Sequence, residues 1–387
     1  TYGAMLTSTG TVRMCLGQDV VVIVDGQYGY VASTTLGTLT TITDADWRGS
    51  TQVENLDGYF IFAAPGTQQF YISAIDDAST LDALDFSSAD SLPDVILAIR
   101  EHKQQLYIFG PKRTEVWINS GDVDFPFARY TSAAIDVGIV GYMAVVKSTD
   151  NLFFVGRSPI GQAMVFKLEG NNAVRVSTRA VEEALLASGV DLGLCRMWTY
   201  QTAGAEFVGI EAPGAKSTWV YDIAIGQWHE RCRKSQYVEN VDRQYIIDVA
   251  TINGQHYVAF PNFPAHLSPT IWKISRLGDY SDWSGEELVR ERTWPHLISP
   301  TAEPVRYASL ELMCTTGNNS DAEVTLECSN DGGFTWNMPL PRSLGETGQY
   351  MKRVRWNFLG QARDRVFRIR CTDAVEFNLH GAQLEAA

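Results

Sequence analysis

Gln105-Leu106-Tyr107-Ile108-Phe109-Gly110, followed after a turn by Val116-Trp117-Ile118-Asn119, is the phrase that decides the fold. Both halves are rich in the β-branched and aromatic residues that suit a pleated sheet, and Gly110-Pro111 between them marks a turn. The phrase recurs. Leu152-Phe153-Phe154-Val155-Gly156 pairs with Met164-Val165-Phe166-Lys167, and Phe207-Val208-Gly209-Ile210 with Trp219-Val220-Tyr221-Asp222. Tyr257-Val258-Ala259-Phe260 is followed by Ile271-Trp272-Lys273-Ile274. Two weaker copies come first: Val20–Val24 with Tyr28–Val31, and Gly58–Phe62 with Phe70–Ser73. Copies begin roughly 40 to 55 residues apart, which is the period of propeller blades. A lone hairpin of this composition cannot bury both faces, and radial stacking buries them and leaves only short edges. The repeat therefore predicts a β-propeller of about six blades. Trp117, Trp219 and Trp272 stand at matching places on the second strand of their hairpins and are expected to be buried between blades.

Punctuation supports the same division. Asp25-Gly26, Pro65-Gly66, Ser158-Pro159-Ile160-Gly161 and Ala212-Pro213-Gly214 are turn sequences between strands. One segment breaks the pattern. Val181, Ala184 and Leu185 recur at helical spacing, with Glu182 and Glu183 near the start, Thr178 as a cap and Gly189 as a stop. A short helix over residues 178–188 is expected, packed on the propeller rim or touching a neighbouring subunit. Gly278-Asp279-Tyr280-Ser281-Asp282 reads as a boundary. Beyond it, Tyr307–Met313, Ala322–Cys328, Val354–Phe358, Val366–Arg370 and Val375–Leu379 alternate at period two, as strands do with one face buried and one wet. The fold class expected is all-β: a propeller over residues 1–282 and a small C-terminal β-sandwich over residues 283–387.

Composition limits function. The 387 residues are 45% hydrophobic, enough for sizeable cores, and no apolar run is long enough to span a bilayer. The sequence starts at Thr1 without a methionine and shows no signal peptide. Six cysteines are scattered without a CxxC pair, so reduced, mostly buried thiols are expected, in keeping with cytosolic assembly. His229 and Cys232 make an isolated H-x-x-C with no second pair, and a metal site is not expected there. The net charge is −14, and residues 283–387, with 11 Lys/Arg against 14 Asp/Glu, carry only −3 of it. Sequence-reading DNA recognition normally needs a basic surface, and this balance opposes it.

Three motifs carry possible chemistry. Ser329-Asn330-Asp331-Gly332-Gly333-Phe334-Thr335-Trp336 fits the S-x-D-x-G-x-T-W pattern of the Asp box, with Ser329, Asp331, Gly333, Thr335 and Trp336 fastening a turn to the next strand. It is a structural motif, remote from catalysis where sialidase-like propellers carry it. A glycosidase would need two convergent carboxylates, or an arginine cluster and a tyrosine if sialidase-like, and nothing marks either. G-x-S-x-G, H-E-x-x-H and phosphate-cradling glycine loops do not occur. No catalytic, cofactor-binding or metal residue is assigned, and no cofactor is expected. The third motif is basic: Arg342, Lys352, Arg353, Arg355, Arg363, Arg365, Arg368 and Arg370 face only Glu346 and Asp364 over that stretch. It reads as the solvated face of two strands, as a partner for an acidic surface of the same or an adjacent subunit, or as a phosphate contact. Arg353, Arg355, Arg368 and Arg370 are the candidate subunit-interface residues.

These pieces together resemble the packaged-DNA stabilisation, or tail hub (nozzle), proteins of short-tailed bacteriophages. The likeness lies in Ile108-Phe109-Gly110 leading to Thr114-Glu115-Val116-Trp117, and in Ser177-Thr178-Arg179-Ala180-Val181-Glu182-Glu183 after Phe166-Lys167-Leu168. It continues in Ser329-Asn330-Asp331-Gly332, Arg353-Val354-Arg355-Trp356 and Phe367-Arg368-Ile369-Arg370. Family members usually carry further residues before the point corresponding to Thr1. The resemblance implies a virion tail subunit, assembled in the host cytoplasm, that forms a homo-oligomeric ring, usually a hexamer. It implies portal or adaptor proteins and tail spike, fibre or needle proteins as neighbours. Packaged DNA would be retained in the lumen and later ejected through it, without sequence recognition. An acidic lumen would repel a sliding polyanion weakly. A carbohydrate-binding adhesin or tail-spike-like propeller is the alternative, and a sialidase-like hydrolase a more remote one. Rings on grids, glycan binding and sialoside turnover respectively would mark each.

Overall fold

A strand apolar on both faces must be covered on both, and the hairpins of this chain meet that demand by stacking. The structure, a computed structural model, describes residues 4–386 except 8–10, 90–93, 158–160, 188, 203, 235–240, 244–245, 247, 253–254, 260–270, 274–288, 302, 319–321 and 374. Among the described residues, six antiparallel sheets follow one another along the chain. Four-stranded sheets cover 13–41, 53–88 and 98–135; five-stranded ones cover 138–175 and 196–243; a three-stranded sheet covers 248–273. The quoted hairpins lie at the heart of these sheets, as where Gln105–Phe109 pairs with Thr114–Asn119 and Leu106 sits opposite Trp117.

Alternate residues of one strand feed two different cores. Leu106 and Ile108 pack with Ile61, Phe70 and Ile72 of the second sheet, whereas Tyr107 and Phe109 pack with Leu152, Phe154 and Phe166 of the fourth. Phe153 and Val155 turn the other way, onto Met197, Val208 and Ile210 of the fifth. Phe60 and Phe62 likewise meet Val22 and Val24 of the first. Each fully buried side chain of this size contributes about 1.5–3 kcal/mol, so these shared interfaces bind sheet to sheet. One edge strand from each of the first five sheets lies beside that of the next: Arg13–Leu16, Val53–Leu56, Ala98–His102, Val145–Lys147 and Arg196–Thr202. Sheets that radiate from adjoining edge strands and pack face to face make a β-propeller.

The tryptophans divide. Trp117 is 6% exposed and meets Phe70 edge-on at 5.0 Å. Trp219 is only half-buried against the core between the fourth and fifth sheets. Its partner, Ile210, lies near the end of its strand, so the two tryptophans face the preceding sheet from different heights. The side chain of Trp272 lies outside the described residues. In the fifth sheet Gly209 sits opposite Trp198, and a Cβ there would meet the indole at 2.3 Å, so glycine is what lets that ring lie flat across the strand.

The inserted helix spans Arg179–Leu185, shorter than the 178–188 expected. Thr178 occupies the N-cap position without a side-chain capping bond, and Leu186 is the C-cap. The helix is fastened from its side instead. Val181 and Leu185 enter the core between the fourth and fifth sheets. Glu182, 8% exposed, accepts two hydrogen bonds from Arg175, both at 2.7 Å, and one from Ser177.

Contacts divide the chain into two units, Thr1–Thr251 with Val258–Ile271, and Ile252–Tyr257 with Trp272–Ala387. The boundary expected at residue 282 lies outside the described residues. In the second unit, one sheet runs in the order Arg290–Thr293, Asp364–Cys371, Glu323–Ser329, Leu340–Ser343. The other centres on Val305–Cys314, which pairs with Val354–Asn357, Gln361–Ala362 and Leu379–Ala386. Leu310, Leu312, Val354 and Trp356 meet Val324, Leu326, Phe367 and Ile369 in one core, which makes a sandwich. The last strand is displaced from Val375–Leu379 to Leu379–Ala386. The carbonyls of Asp373 and Val375 are taken by the Arg290 guanidinium and cannot serve a ladder, while the chain beyond finds the free edge of Val305–Cys314.

Candidate functional site

The Ser329–Trp336 segment closes on itself. Ser329 Oγ donates to Asp331 Oδ1 at 2.7 Å and accepts from the Gly333 amide at 2.8 Å. Asp331 also accepts from the Thr335 amide at 2.9 Å and from its hydroxyl. These bonds, led by the Thr335 hydroxyl, hold the Asp331 carboxyl down at about 2. Trp336 covers the next feature of the surface, with the Arg368 guanidinium 3.8 Å above its ring. The arrangement is a turn fastened by its own side chains.

Alternation along two strands decides where the four candidate arginines go. Val354 and Trp356 point into the core, which turns Arg353 and Arg355 outward on one sheet; Phe367 and Ile369 do the same for Arg368 and Arg370 on the other. Since one core separates the sheets, the structure brings these arginines together as two pairs on opposite faces of the sandwich. Each pair meets carboxylates of its own chain. Arg353 grips Glu311 through Nε, at 2.6 Å, and Nη2. Arg355 lies 2.9 Å from Glu385 and donates to Ser309. Glu311 stands opposite Arg355 in the ladder, and its carboxyl is lowered chiefly by the hydrogen bond from Arg353. On the other face Arg368 reaches Glu327 at 2.8 Å and Arg370 reaches Glu291 at 2.7 Å, again as cross-strand neighbours. Arg365, 3% exposed, does not belong to the surface at all; it lies over Tyr307 and donates to the Leu359 carbonyl.

A second charged cluster, not singled out by the sequence, occupies the propeller axis. Arg100 Nη1 donates to Gln52 Oε1 at 3.0 Å and to Glu54 Oε1 at 3.1 Å. Beside them Arg13 donates to the Tyr142 carbonyl at 3.0 Å, and Lys147 takes Glu101 at 2.5 Å. Burial, and then the neighbouring Arg100, lower Arg13 to about 9; burial, and then Glu54, push the Cys15 thiol up to about 12. The only trace of this in the sequence is a run of charge directly after an apolar stretch, as where Arg100-Glu101-His102 follow Ile96-Leu97-Ala98-Ile99, and nothing in a single strand says that several such charges converge.

Among the described residues no group of three or more His, Cys, Asp or Glu could hold a metal ion. His229 lies edge-on to Phe207, and burial, aided by Arg231, lowers it to about 4. The side chain of Cys232 lies outside the described residues. Cys15, Cys195, Cys314, Cys328 and Cys371 are free thiols, and no described helix is long and apolar enough to cross a membrane.

Fold and surface together define a propeller-plus-sandwich protein whose outward sandwich arginines are paired with carboxylates of the same chain. Residues 3–256 match the family described as bacteriophage P22 Gp10, beta-propeller, and residues 291–387 the one described as bacteriophage P22 Gp10, beta-sandwich. The chain belongs to this family of phage tail structural proteins and is a virion component by that membership. No curated protein matches the sequence. Among solved structures, dihydro-heme d1 dehydrogenase NirN is 11% identical over 88% of this chain and 66% of its own, with a TM-score of 0.42. The N-terminal domain of Nup159 is 10% identical over 68% and 72%, at 0.38. An exo-beta-1,3-galactanase from Phanerochaete chrysosporium is 8% identical over 98% and 96%, at 0.33. Likenesses this distant carry no functional argument.

Proposed function

We propose that this chain is a ring-forming tail subunit that retains packaged DNA and then serves as the conduit for its ejection. The observation that carries the proposal is that both domains match the phage tail family, over 3–256 and 291–387. The charge supports it. A net of −14 disfavours tight phosphate binding, and the arginines that could have neutralised phosphates are engaged by Glu311, Glu385, Glu327 and Glu291. The ring is a homo-oligomer, a hexamer by the family resemblance, with portal or adaptor proteins on one side and spike, fibre or needle proteins on the other. It carries out no chemistry. Arg353 and Arg355 on one sheet, with Arg368 and Arg370 on the other, form its subunit contacts, exchanging some in-chain carboxylates for those of a neighbour.

The test is a particle assembled without this chain. Such particles package DNA and lose it, and adding the purified protein restores retention, with rings visible on grids. Particles that hold their DNA equally well without the chain would overturn the proposal.

A further inference from the structure

At the propeller axis, buried hydrogen-bonding capacity is left over, and all the clear cases are of one kind. Arg100 is 7% exposed and Gln52 is fully buried. Arg100 Nη2, Gln52 Nε2 and Arg13 Nε are each shut off from solvent and have no hydrogen-bond partner among the described residues. All three are donors. An orphaned buried donor is costly, more so when it is charged, so three in one place call for an acceptor. They share that place. Gln52 and Arg100 are bonded to each other, and Arg13 stands close enough to Arg100 for the two cations to repel. Arg13 comes from the first sheet, Gln52 from the edge of the second and Arg100 from the third, on strands that lie side by side.

The charges point the same way. Among the described residues Glu54 is the one carboxylate bonded to this group, through Arg100. Glu101 is engaged by Lys147. Asp248, which also acts on Arg13, is exposed and accepts from the Val249 amide at 2.8 Å. The Cys15 thiol stays neutral across the ordinary pH range. Two guanidiniums thus share one bonded carboxylate.

We propose that the axis of the propeller binds a small inorganic anion, held by Arg13, Gln52 and Arg100, that ties the first three blades together. The anion offers acceptors in every direction and need donate nothing, which is what a set of orphan donors requires. Water would fill the space but would add donors to a site already rich in them. This inference is independent of the tail role.

Crystals of the full chain grown in bromide test it directly, with a parallel set in phosphate. An anomalous bromide peak, or phosphate density, within hydrogen-bonding distance of Arg13 Nε and Arg100 Nη2 is the expected result; water alone at those donors in both sets overturns it. In solution, chloride or phosphate replacing gluconate at constant ionic strength should raise the melting temperature by a saturable shift of about 2–4 °C. The shift should vanish in Arg13→Gln and persist in Arg353→Gln. An unchanged melting temperature in the natural protein, or an equal shift in Arg13→Gln, counts against the site.

Discussion

Trp117 and Trp219 occupy similar places in the sequence phrase and different ones in the blade, and the difference has a measurable consequence. Trp117 fills the core between the second and third sheets, and its Nε1 donates to the buried Glu115 at 2.9 Å. Trp117→Ala should cost about 3–5 kcal/mol, the range for emptying a buried aromatic site. Trp219→Ala should cost less than half as much, because its ring is partly solvated already. Urea unfolding of the two variants checks this, and equal losses would show that the two sites are packed alike. Asp25 offers a second residue-scale test. Burial alone would raise its carboxyl, but hydrogen bonds from Thr7, the Tyr28 amide, Tyr30 and the Gln27 amide outweigh that and lower it. A carboxyl lowered on folding contributes stability above its unfolded value of about 3.9, and that contribution fades as the pH falls through the folded value. Melting temperature should therefore drop on acidification below about pH 4, with a shallower slope in Asp25→Asn. Identical slopes would remove Asp25 from the account.

At the scale of the element, the inserted helix shows how little of its stability is its own. It has seven residues, below the length at which an isolated helix persists, and its cap position makes no side-chain bond. Tertiary contacts hold it. Glu182→Ala removes the acceptor for Arg175 and Ser177 and should cost about 1–3 kcal/mol, moderated because Arg175 is half exposed and can rehydrate. Glu183→Ala breaks only the exposed pair with Arg179 and should cost under about 0.5 kcal/mol. A chemical denaturation series reads both. If the two cost the same, the helix is held by its own face pairs and not by the sheet beneath it.

For the whole molecule the question is what the outward arginines do in the proposed ring. Reversing the charge of Arg353 and Arg355 together should leave the isolated subunit folded, since both pairs lie at the surface and their strand is held by Val354 and Trp356 in the core. Ring assembly should fail, as read by sedimentation velocity and negative-stain images. Normal rings from that variant, with a loss of salt-sensitive duplex binding instead, would show that this face touches DNA and not protein. The opposite face, with Arg368 and Arg370, serves as the comparison, because the sandwich core keeps the two faces independent.

Much of this architecture was legible in the sequence, for a physical reason. A propeller blade is built from hairpins whose partners lie within a few tens of residues, so period, turn residues and apolar runs report it directly: Leu106 and Trp117 are close in the chain and paired in the sheet. The tight Ser329–Trp336 turn was readable for the same reason, since its bonds all fall within that segment. Other features depend on contacts that local pattern does not contain. Leu379–Ala386 became the last strand because the edge of Val305–Cys314 was open to it and Arg290 had claimed the carbonyls before it. The four candidate arginines were divided between two faces because a core passes between their strands. Arg13, Gln52 and Arg100 came together only when three sheets from distant parts of the chain met at one axis. Hairpin pairing is local and so is written in the order of the residues; convergence at an axis or an edge is not, and the folded chain alone decides it.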